Sequence, residues 1–99
     1  MAKYKINVSA RAEQDILSAY EYISQDLKNI DAADELLDAI FNKFDLVKDM
    51  PKMCPVVEFA GLKNTYRKCV VKNFIAFYVI KEEINEVYIA RFHYGRKKY

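Results

Sequence analysis

Apolar side chains near the amino terminus recur with two different periods. Residues 3–8 alternate polar and apolar side chains, which is the period of a half-buried strand. Ser9 then occupies the N-cap position of a helix predicted over residues 10–27. The apolar stripe of this helix, spaced at steps of three and four residues, consists of Ile16, Tyr20, Ile23 and Leu27. The chain therefore begins with a strand and an amphipathic helix.

A second helix follows after a short polar break at Asn29 and Asp31. Residues 32–48 repeat apolar side chains at helical spacing, and Pro51 lies shortly after their predicted end. The stripe comprises Ala33, Leu37, Ile40, Phe41, Phe44 and Val47. Because the break is so short, we expect the two helices to fold back on each other as a helical hairpin.

The second half of the chain has the pattern of a connection followed by three strands. Residues 50–64 hold both prolines and one of the two glycines without helical or strand periodicity, which predicts a long surface connection. Strand-like runs then cover residues 66–71, 74–80 and 86–94. Because the run 74–80 is apolar at every position, we expect it to be buried on both faces at the centre of a sheet.

The order β, α, α, β, β, β indicates an α+β fold. We expect a single domain over residues 1–99, with the helical hairpin packed on one face of a mainly antiparallel, twisted sheet. The first strand would insert beside the three that end the chain. Lys72 and Asn73 would close a tight hairpin, because asparagine tolerates left-handed backbone angles.

The last strand carries side chains suited to phosphate chemistry. Strict alternation would place Val87, Ile89, Arg91 and His93 on one face. A guanidinium there could stabilise charge on a phosphate, while the imidazole of His93, the only histidine, moves a proton. Two interpretations stay open at this point, an active-site edge and a surface histidine without a chemical role.

Charge is divided unequally along the chain. The net charge is +2, but residues 1–49 carry six basic and ten acidic side chains, whereas residues 50–99 carry ten and four. One basic surface would form if the strands lie close together, with tyrosine rings on which bases could stack. Its members would be Tyr66, Arg67, Lys68, Lys72, Arg91, Phe92, Tyr94, Arg96, Lys97, Lys98 and Tyr99, with Tyr66 and Phe92 as core residues in the alternative. Such a surface suits a polyanion or an acidic protein, and a merely solvated charged face is the alternative.

Several classes of protein are not indicated. The amino terminus lacks the apolar segment of a signal peptide, and no apolar run is long enough to span a bilayer, so we expect a soluble cytoplasmic protein. Cys54 and Cys69 have no metal-type spacing, and we expect two reduced thiols, with a structural disulfide as the alternative. No cofactor or metal motif is present, so none is expected.

Several segments, taken in order, resemble one known group of proteins. These are the helix residues 12–23, the sequence GLKNTYR at 61–67, the strand FIAFYVI at 74–80 and the ending VYIARFHYGRKKY. Together they resemble the RelE/ParE superfamily of toxins from bacterial type II toxin-antitoxin systems, over nearly the whole chain. The resemblance implies a small cytoplasmic toxin that is neutralised by a cognate antitoxin, whose carboxy-terminal segment wraps it.

The resemblance implies two possible targets. RelE-like and YoeB-like members are endoribonucleases that cleave messenger RNA on the ribosome, whereas ParE-like members inhibit DNA gyrase. The RFHY ending is similar to the end of YoeB-type toxins, and this similarity implies that His93 protonates the leaving 5′-oxygen. Arg67 and Arg91 would then stabilise the phosphorane, and Tyr94 would orient the nucleotide. The implied RNA-binding side chains are Lys68, Lys72, Arg96, Lys97, Lys98 and Tyr99.

The chain departs from the nuclease pattern at three places. Asn73 and Phe74 stand where those nucleases have an arginine, their loop acid is matched only by Glu58, and the tail continues past His93 as in ParE-like chains. Ribosome-dependent cleavage of messenger RNA without a metal is the first interpretation. Inhibition of gyrase by binding is the alternative, and a non-toxic binding module of the same fold is the third.

Overall fold

The computed structural model describes residues 4–58, 61 and 65–95. The elements within these residues are β1 Lys5–Val8, α1 Ala10–Glu21, α2 Ile30–Asp49, β2 Val56–Val57, β3 Tyr66–Val71, β4 Phe74–Lys81 and β5 Glu86–Tyr94. The strands form a sheet in the order β1-β5-β4-β3-β2, in which β1 runs parallel to β5 and the other pairs are antiparallel. The predicted α+β fold is confirmed, and β2 is a short strand inside the connection that the sequence predicted to be irregular.

The first helix begins as predicted and ends differently. Ser9 Oγ accepts a hydrogen bond from Ala12 N at 3.0 Å and donates one to Ala90 O at 2.9 Å, so this cap also joins α1 to β5. After Glu21 the helix widens into one π-helical turn, Tyr22–Asp26. A π turn rotates the residues after it around the helix axis. Leu27, predicted to face the core, is exposed for this reason.

The second helix is longer than predicted, because Asn29 caps it by accepting a hydrogen bond from Ala32 N at 3.0 Å. Its buried side chains are Ala33, Leu36, Ile40, Phe44 and Val47. The prediction was wrong at Phe41, which is 60% exposed, and it missed Leu36. Neighbouring residues lie about 100° apart around a helix, so Ile40 and Phe41 cannot both face the sheet. Neither of the helices described here is long and apolar enough to cross a membrane.

The core lies between the helical hairpin and one face of the sheet, the helix-covered face. From β3 and β4 it takes Cys69, Val71, Ala76 and Tyr78, which are all buried. Strand β4 is central, as predicted. Both helices lie on one side of the sheet, and the apolar side chains of β4 on the opposite side are also at least partly buried, with Val79 among them 9% exposed. We call the other side, which includes Ile75 and Phe77, the open face.

A β-bulge at Ala90 changes which side chains of β5 face the core. Phe77 lies opposite Arg91 and Tyr78 lies opposite Ile89, so Ala90 has no partner on β4. Val87 and Ile89 precede the bulge and lie on the helix-covered face, while Arg91 and His93 follow it and lie on the open face. The prediction that all four side chains share one face was therefore wrong, because Val87 and Ile89 lie on the face opposite Arg91 and His93. Arg91 and His93 do share a face, as predicted.

The β3–β4 turn is tight, with Val71 paired to Phe74. Lys72 has the left-handed angle, with φ 54°, and Asn73 does not, contrary to the expectation from residue type. The carbonyl of Asn73 instead accepts a hydrogen bond from Gly95 N at 2.7 Å, which ties the turn to the end of β5.

Candidate functional site

The end of β5 is held by a carboxylate from α1. Strand β1 pairs with β5 only as far as Ile89, so the backbone beyond that point needs another partner. Asp15 supplies it, because its Oδ2 accepts hydrogen bonds from Phe92 N at 3.0 Å and from Arg91 Nε at 2.8 Å. The second oxygen, Oδ1, accepts from Arg91 Nη2 at 3.3 Å. We call these contacts the Asp15 clamp.

The clamp sets the charge state of its members. Burial alone would raise the pKa of Asp15, but the hydrogen bonds from Arg91 and Phe92 N, together with the nearby positive charge, outweigh it and hold that pKa below its usual value. The hydrogen bond to Asp15 correspondingly raises the pKa of Arg91. The guanidinium is therefore half of a bidentate ion pair, and much of its charge is already balanced.

Asp15 is a site residue that the sequence reading missed. A signal was present, because Ala12, Asp15 and Ala19 lie at steps of three and four residues along one side of α1. Ala12 is fully buried and Asp15 is only 18% exposed. An acid inside a buried helical stripe requires a partner, and here the partner is on β5.

His93 lies on the open face in a row with Ile75 and Val70, which are its paired neighbours across the sheet. Its imidazole ring lies beside that of Phe77, with ring centroids 6.2 Å apart. The adjacent row contains Arg91, Phe77 and Lys68. The register therefore assigns His93, Arg91 and Lys68 to one face of the sheet, although the guanidinium of Arg91 is bound to Asp15 of α1.

Arg67 does not join this group. It lies opposite Tyr78, a core residue, so its side chain belongs to the helix-covered face. Arg67 Nη1 donates hydrogen bonds to Cys54 O at 2.6 Å and Lys52 O at 3.4 Å. The predicted grouping of Arg67 with Arg91 and His93 is not formed. Neighbouring side chains of a strand point to opposite faces, and Lys68, the residue after Arg67, is the one that shares the face of His93.

Arg67 instead fastens the connection after α2. The Tyr78 hydroxyl donates to Pro51 O at 2.6 Å, and Lys68 N donates to Pro55 O at 3.0 Å. Cys54 and Cys69, with Cα atoms 5.4 Å apart, are joined as a disulfide. The expectation of two separate reduced thiols was wrong because the pairing of β2 with β3 lays the connection beside Cys69. Burial raises the pKa of the Tyr78 phenol, so this donor stays protonated.

We therefore expect Arg67→Ala to act on stability. The charged donor has two backbone carbonyl partners, so its loss should lower the free energy of unfolding by about 1.5 kcal/mol. Urea denaturation measures the change, with the exposed Arg11→Ala as control. Equal stability of Arg67→Ala and the wild type would mean that these two hydrogen bonds contribute nothing.

Tyr94 lies on the other side of the sheet from His93. Its ring meets Phe74 edge-on, with centroids 5.5 Å apart, and the residue is 49% exposed. It borders a groove of about 600 Å³ between the end of α1 and the ends of β4 and β5. Its lining is mostly apolar, with Asp15 and His93 also contributing, and the apolar residues include Tyr22, Ile23, Leu27, Phe74, Phe92 and Tyr94.

The remaining predicted residues divide into two sets. Lys72 lies in the β3–β4 turn and is exposed, as is Lys68 of β3. Arg96, Lys97, Lys98 and Tyr99 lie outside the described residues. Within the described ranges, no three His, Cys, Asp or Glu side chains are arranged to hold a metal ion.

Comparison with known proteins identifies a family. The model of the family "ParE toxin of type II toxin-antitoxin system, parDE" matches residues 6–99. No curated protein sequence matches the chain significantly.

Solved structures share the fold at low sequence identity. The chain is similar to one from a chromosomal ParDE toxin-antitoxin system of P. aeruginosa, with 14% identity, a TM-score of 0.71 and coverage of 92% of this chain and 95% of that one. It is also similar to a chain of the archaeal RelE-RelB complex of Pyrococcus horikoshii, with 9% identity, a TM-score of 0.63 and coverage of 98% and 100%. A chain of the RelBE2 toxin-antitoxin complex of Mycobacterium tuberculosis is similar with 14% identity and a TM-score of 0.60, and the match covers 96% of this chain and 95% of that one. At these identities the likeness shows the fold alone.

Proposed function

Because the chain belongs to the family of ParE toxins of type II toxin-antitoxin systems, we propose that it arrests growth by binding its target without cutting RNA, and that this target is DNA gyrase. The Asp15 clamp is the observation that carries this proposal. RNA cleavage needs a cation free to meet the charge that develops on the phosphate. The Arg91 guanidinium is paired with Asp15 at 2.8 and 3.3 Å, which leaves it poorly suited to that task.

The position of Arg67 supports the same conclusion. A second arginine beside His93 would strengthen a nuclease site, but Arg67 points to the helix-covered face and is bound to two carbonyl oxygens. The ring of His93 lies beside that of Phe77, and no carboxylate of the described residues is hydrogen-bonded to His93 to orient it as a general acid. A binding action requires none of these groups to react.

Ribosome-dependent RNA cleavage is the second candidate. The observation in its favour is that His93 is exposed on the same face as Lys68 and Arg91. In this alternative His93 would protonate the leaving oxygen, and Lys68 would take the place on the open face that was assigned to Arg67.

We also infer a cognate antitoxin as partner. The similar structures from P. aeruginosa, P. horikoshii and M. tuberculosis come from toxin-antitoxin systems or complexes. Residues 50–99 of this chain carry ten basic and four acidic side chains, so we expect the antitoxin segment that covers this half to be acidic and amphipathic. It would bind by laying a helix in a groove or by adding a strand to a sheet edge.

The first experiment is a supercoiling assay with purified gyrase and relaxed plasmid. We expect the wild-type toxin to inhibit supercoiling in the absence of ribosomes and messenger RNA, because the proposed action is binding to gyrase. Addition of purified antitoxin should restore supercoiling. Full gyrase activity at toxin concentrations that arrest growth in cells would overturn the proposed target.

A further inference from the structure

One half of the open face combines exposed apolar side chains with positive charge. We call it the basic apolar patch, and it consists of Lys68, Val70, Lys72, Ile75, Phe77 and His93. The sheet register brings these residues together, since Lys68 pairs with Phe77 and Val70 pairs with Ile75, which in turn pairs with His93. Lys72 follows at the β3–β4 turn.

The apolar part of the patch is not covered by any helix that the structure describes. Val70 is 57% exposed, and Ile75 and Phe77 are only partly buried. Val70 is therefore the apolar side chain of the patch that is mostly exposed, and an exposed apolar side chain among charges of one sign suits a site of interaction.

The charged part of the patch is of one sign. Lys68 and Lys72 are exposed, and the strands described here contain one carboxylate, Glu86, at the far end of the sheet opposite Lys81. Glu86 is also within 3.5 Å of Asn7 Nδ2. The patch therefore attracts acidic groups without competition from an acid on its own strands.

The opposite side of the molecule carries the opposite charge. The helical hairpin, residues 10–49, holds ten acidic and four basic side chains. An acidic partner would be repelled by the hairpin and attracted by the patch, so the charge distribution also fixes which side of the toxin faces that partner.

The side chains of the patch fit a protein better than RNA. Single-stranded RNA is held by aromatic rings whose faces are free for stacking. The rings of the patch, Phe77 and His93, lie against each other at 6.2 Å, and Phe77 stands between Lys68 and Arg91 in the register. Tyr94, the exposed ring nearby, is on the helix-covered side. Aliphatic Val70 and Ile75 suit the apolar side chains of a protein surface.

We propose that the basic apolar patch is the surface with which this toxin docks an acidic segment of its target protein, the lysines meeting carboxylates and Val70 meeting an apolar side chain. This inference rests on the proposed function, in that it assumes a protein target. It names the face of the toxin that carries the interaction, and it assigns Lys68, Val70 and Lys72 as specificity residues.

The test uses three variants and a matched control. Lys68→Glu with Lys72→Glu reverses the charge of the patch, Lys68→Gln with Lys72→Gln removes it, and Val70→Asp disrupts the apolar part. The control is Arg11→Glu with Lys28→Glu, because both residues are exposed and lie on the helical side. Thermal melting of each variant should match the wild type, as the substituted side chains are exposed.

Growth arrest after expression without antitoxin is the first readout, because it does not depend on which target is correct. The charge-reversed variant should lose growth arrest at matched expression, and the control should retain it. With purified gyrase, charge reversal should raise the half-inhibitory concentration by about tenfold. Charge removal should raise it less and weaken its dependence on salt around 0.15 M.

The outcomes separate the inference from the proposed function. If the charge-reversed variant is folded and still arrests growth, the basic apolar patch is not the docking surface, whatever the target is. Wild-type toxin that arrests growth but leaves gyrase active overturns the target, while loss of arrest in the patch variants still supports the docking face. If wild-type toxin binds a labelled oligouridine and charge reversal abolishes that binding together with growth arrest, the occupant is nucleic acid and the inference is wrong.

Discussion

Phe92→Ala is expected to lower the free energy of unfolding by about 3 kcal/mol. Phe92 is buried, and its ring stacks on that of Phe74 with centroids 5.0 Å apart and planes 7° apart. Truncation removes this contact and leaves a cavity between the sheet and α1. The groove beside Phe92 admits water to part of this cavity. The loss of stability should therefore lie near the lower end of the range for truncating a buried phenylalanine. Urea denaturation followed by circular dichroism measures the change.

Tyr94→Ala is the matched control for this substitution. Tyr94 lies on the same face of β5, also contacts Phe74, but is half exposed, so we expect a loss of about 0.5 kcal/mol. The comparison tests the bulge at Ala90. Without the bulge, Phe92 would lie on the face opposite Ile89 and its removal would cost little more than that of Tyr94. Equal destabilisation by the two variants would therefore contradict the register described here.

Asp15→Ala is expected to lower the free energy of unfolding by about 2 kcal/mol. The substitution leaves Phe92 N without its acceptor and Arg91 without its counterion, both in a region where Asp15 is 18% exposed. Arg91 is 36% exposed and can be hydrated in part, which limits the loss. Asp15→Asn keeps an acceptor for Phe92 N and should lose about half as much. Thermal and urea denaturation of both variants give the values, and equal stability of Asp15→Ala and wild type would exclude the clamp.

The clamp also predicts how stability depends on pH. The pKa of Asp15 in the folded protein lies below its usual value of 3.8, which represents the unfolded chain. The ionised form is therefore favoured by folding, and its contribution is complete above the unfolded pKa and lost as the pH falls through the folded pKa. The difference in stability between wild type and Asp15→Asn should be largest near neutral pH and shrink in acid. A difference that is constant down to pH 3 or below would mean that the charge of Asp15 contributes nothing.

The sequence predicted the architecture because its signals are local. The period-two pattern of β1, the cap at Ser9 and the wholly apolar β4 each depend on neighbours in the chain, and the structure confirms all three. Leu27 was misplaced because a π turn has no signature in the spacing of apolar residues. Lys72 took the left-handed position because the geometry of the two-residue turn, and not residue preference, decided it.

The candidate site was harder to predict, because it depends on register between distant strands. A single extra residue, Ala90, moved Arg91 and His93 to the face opposite Ile89. The same rule of alternation places Arg67 across the sheet from them. No pattern within β5 reveals that Asp15, about 76 residues away in sequence, binds its end. Residue type and spacing along the chain therefore identified Arg67, Arg91 and His93 as candidates, but they could not identify the groups that these side chains contact.

The two sides of the sheet have different tasks. On the helix-covered side, Asp15 and Arg67 hold β5 and the connection after α2 in place. On the open side, Lys68, Val70 and Lys72 are left exposed and available to a partner. The arginines that would make a nuclease site are thus used for structure, and the surface that remains is suited to binding.

The most direct test of this account is an in vitro translation reaction containing wild-type toxin, a defined messenger and ribosomes, followed by mapping of the 3′ ends of the RNA. The account predicts an intact messenger at toxin concentrations that inhibit gyrase in a parallel reaction with the same preparation. Cuts within codons that require ribosomes and disappear with His93→Ala would contradict it, and would make His93 a catalytic residue of a ribonuclease.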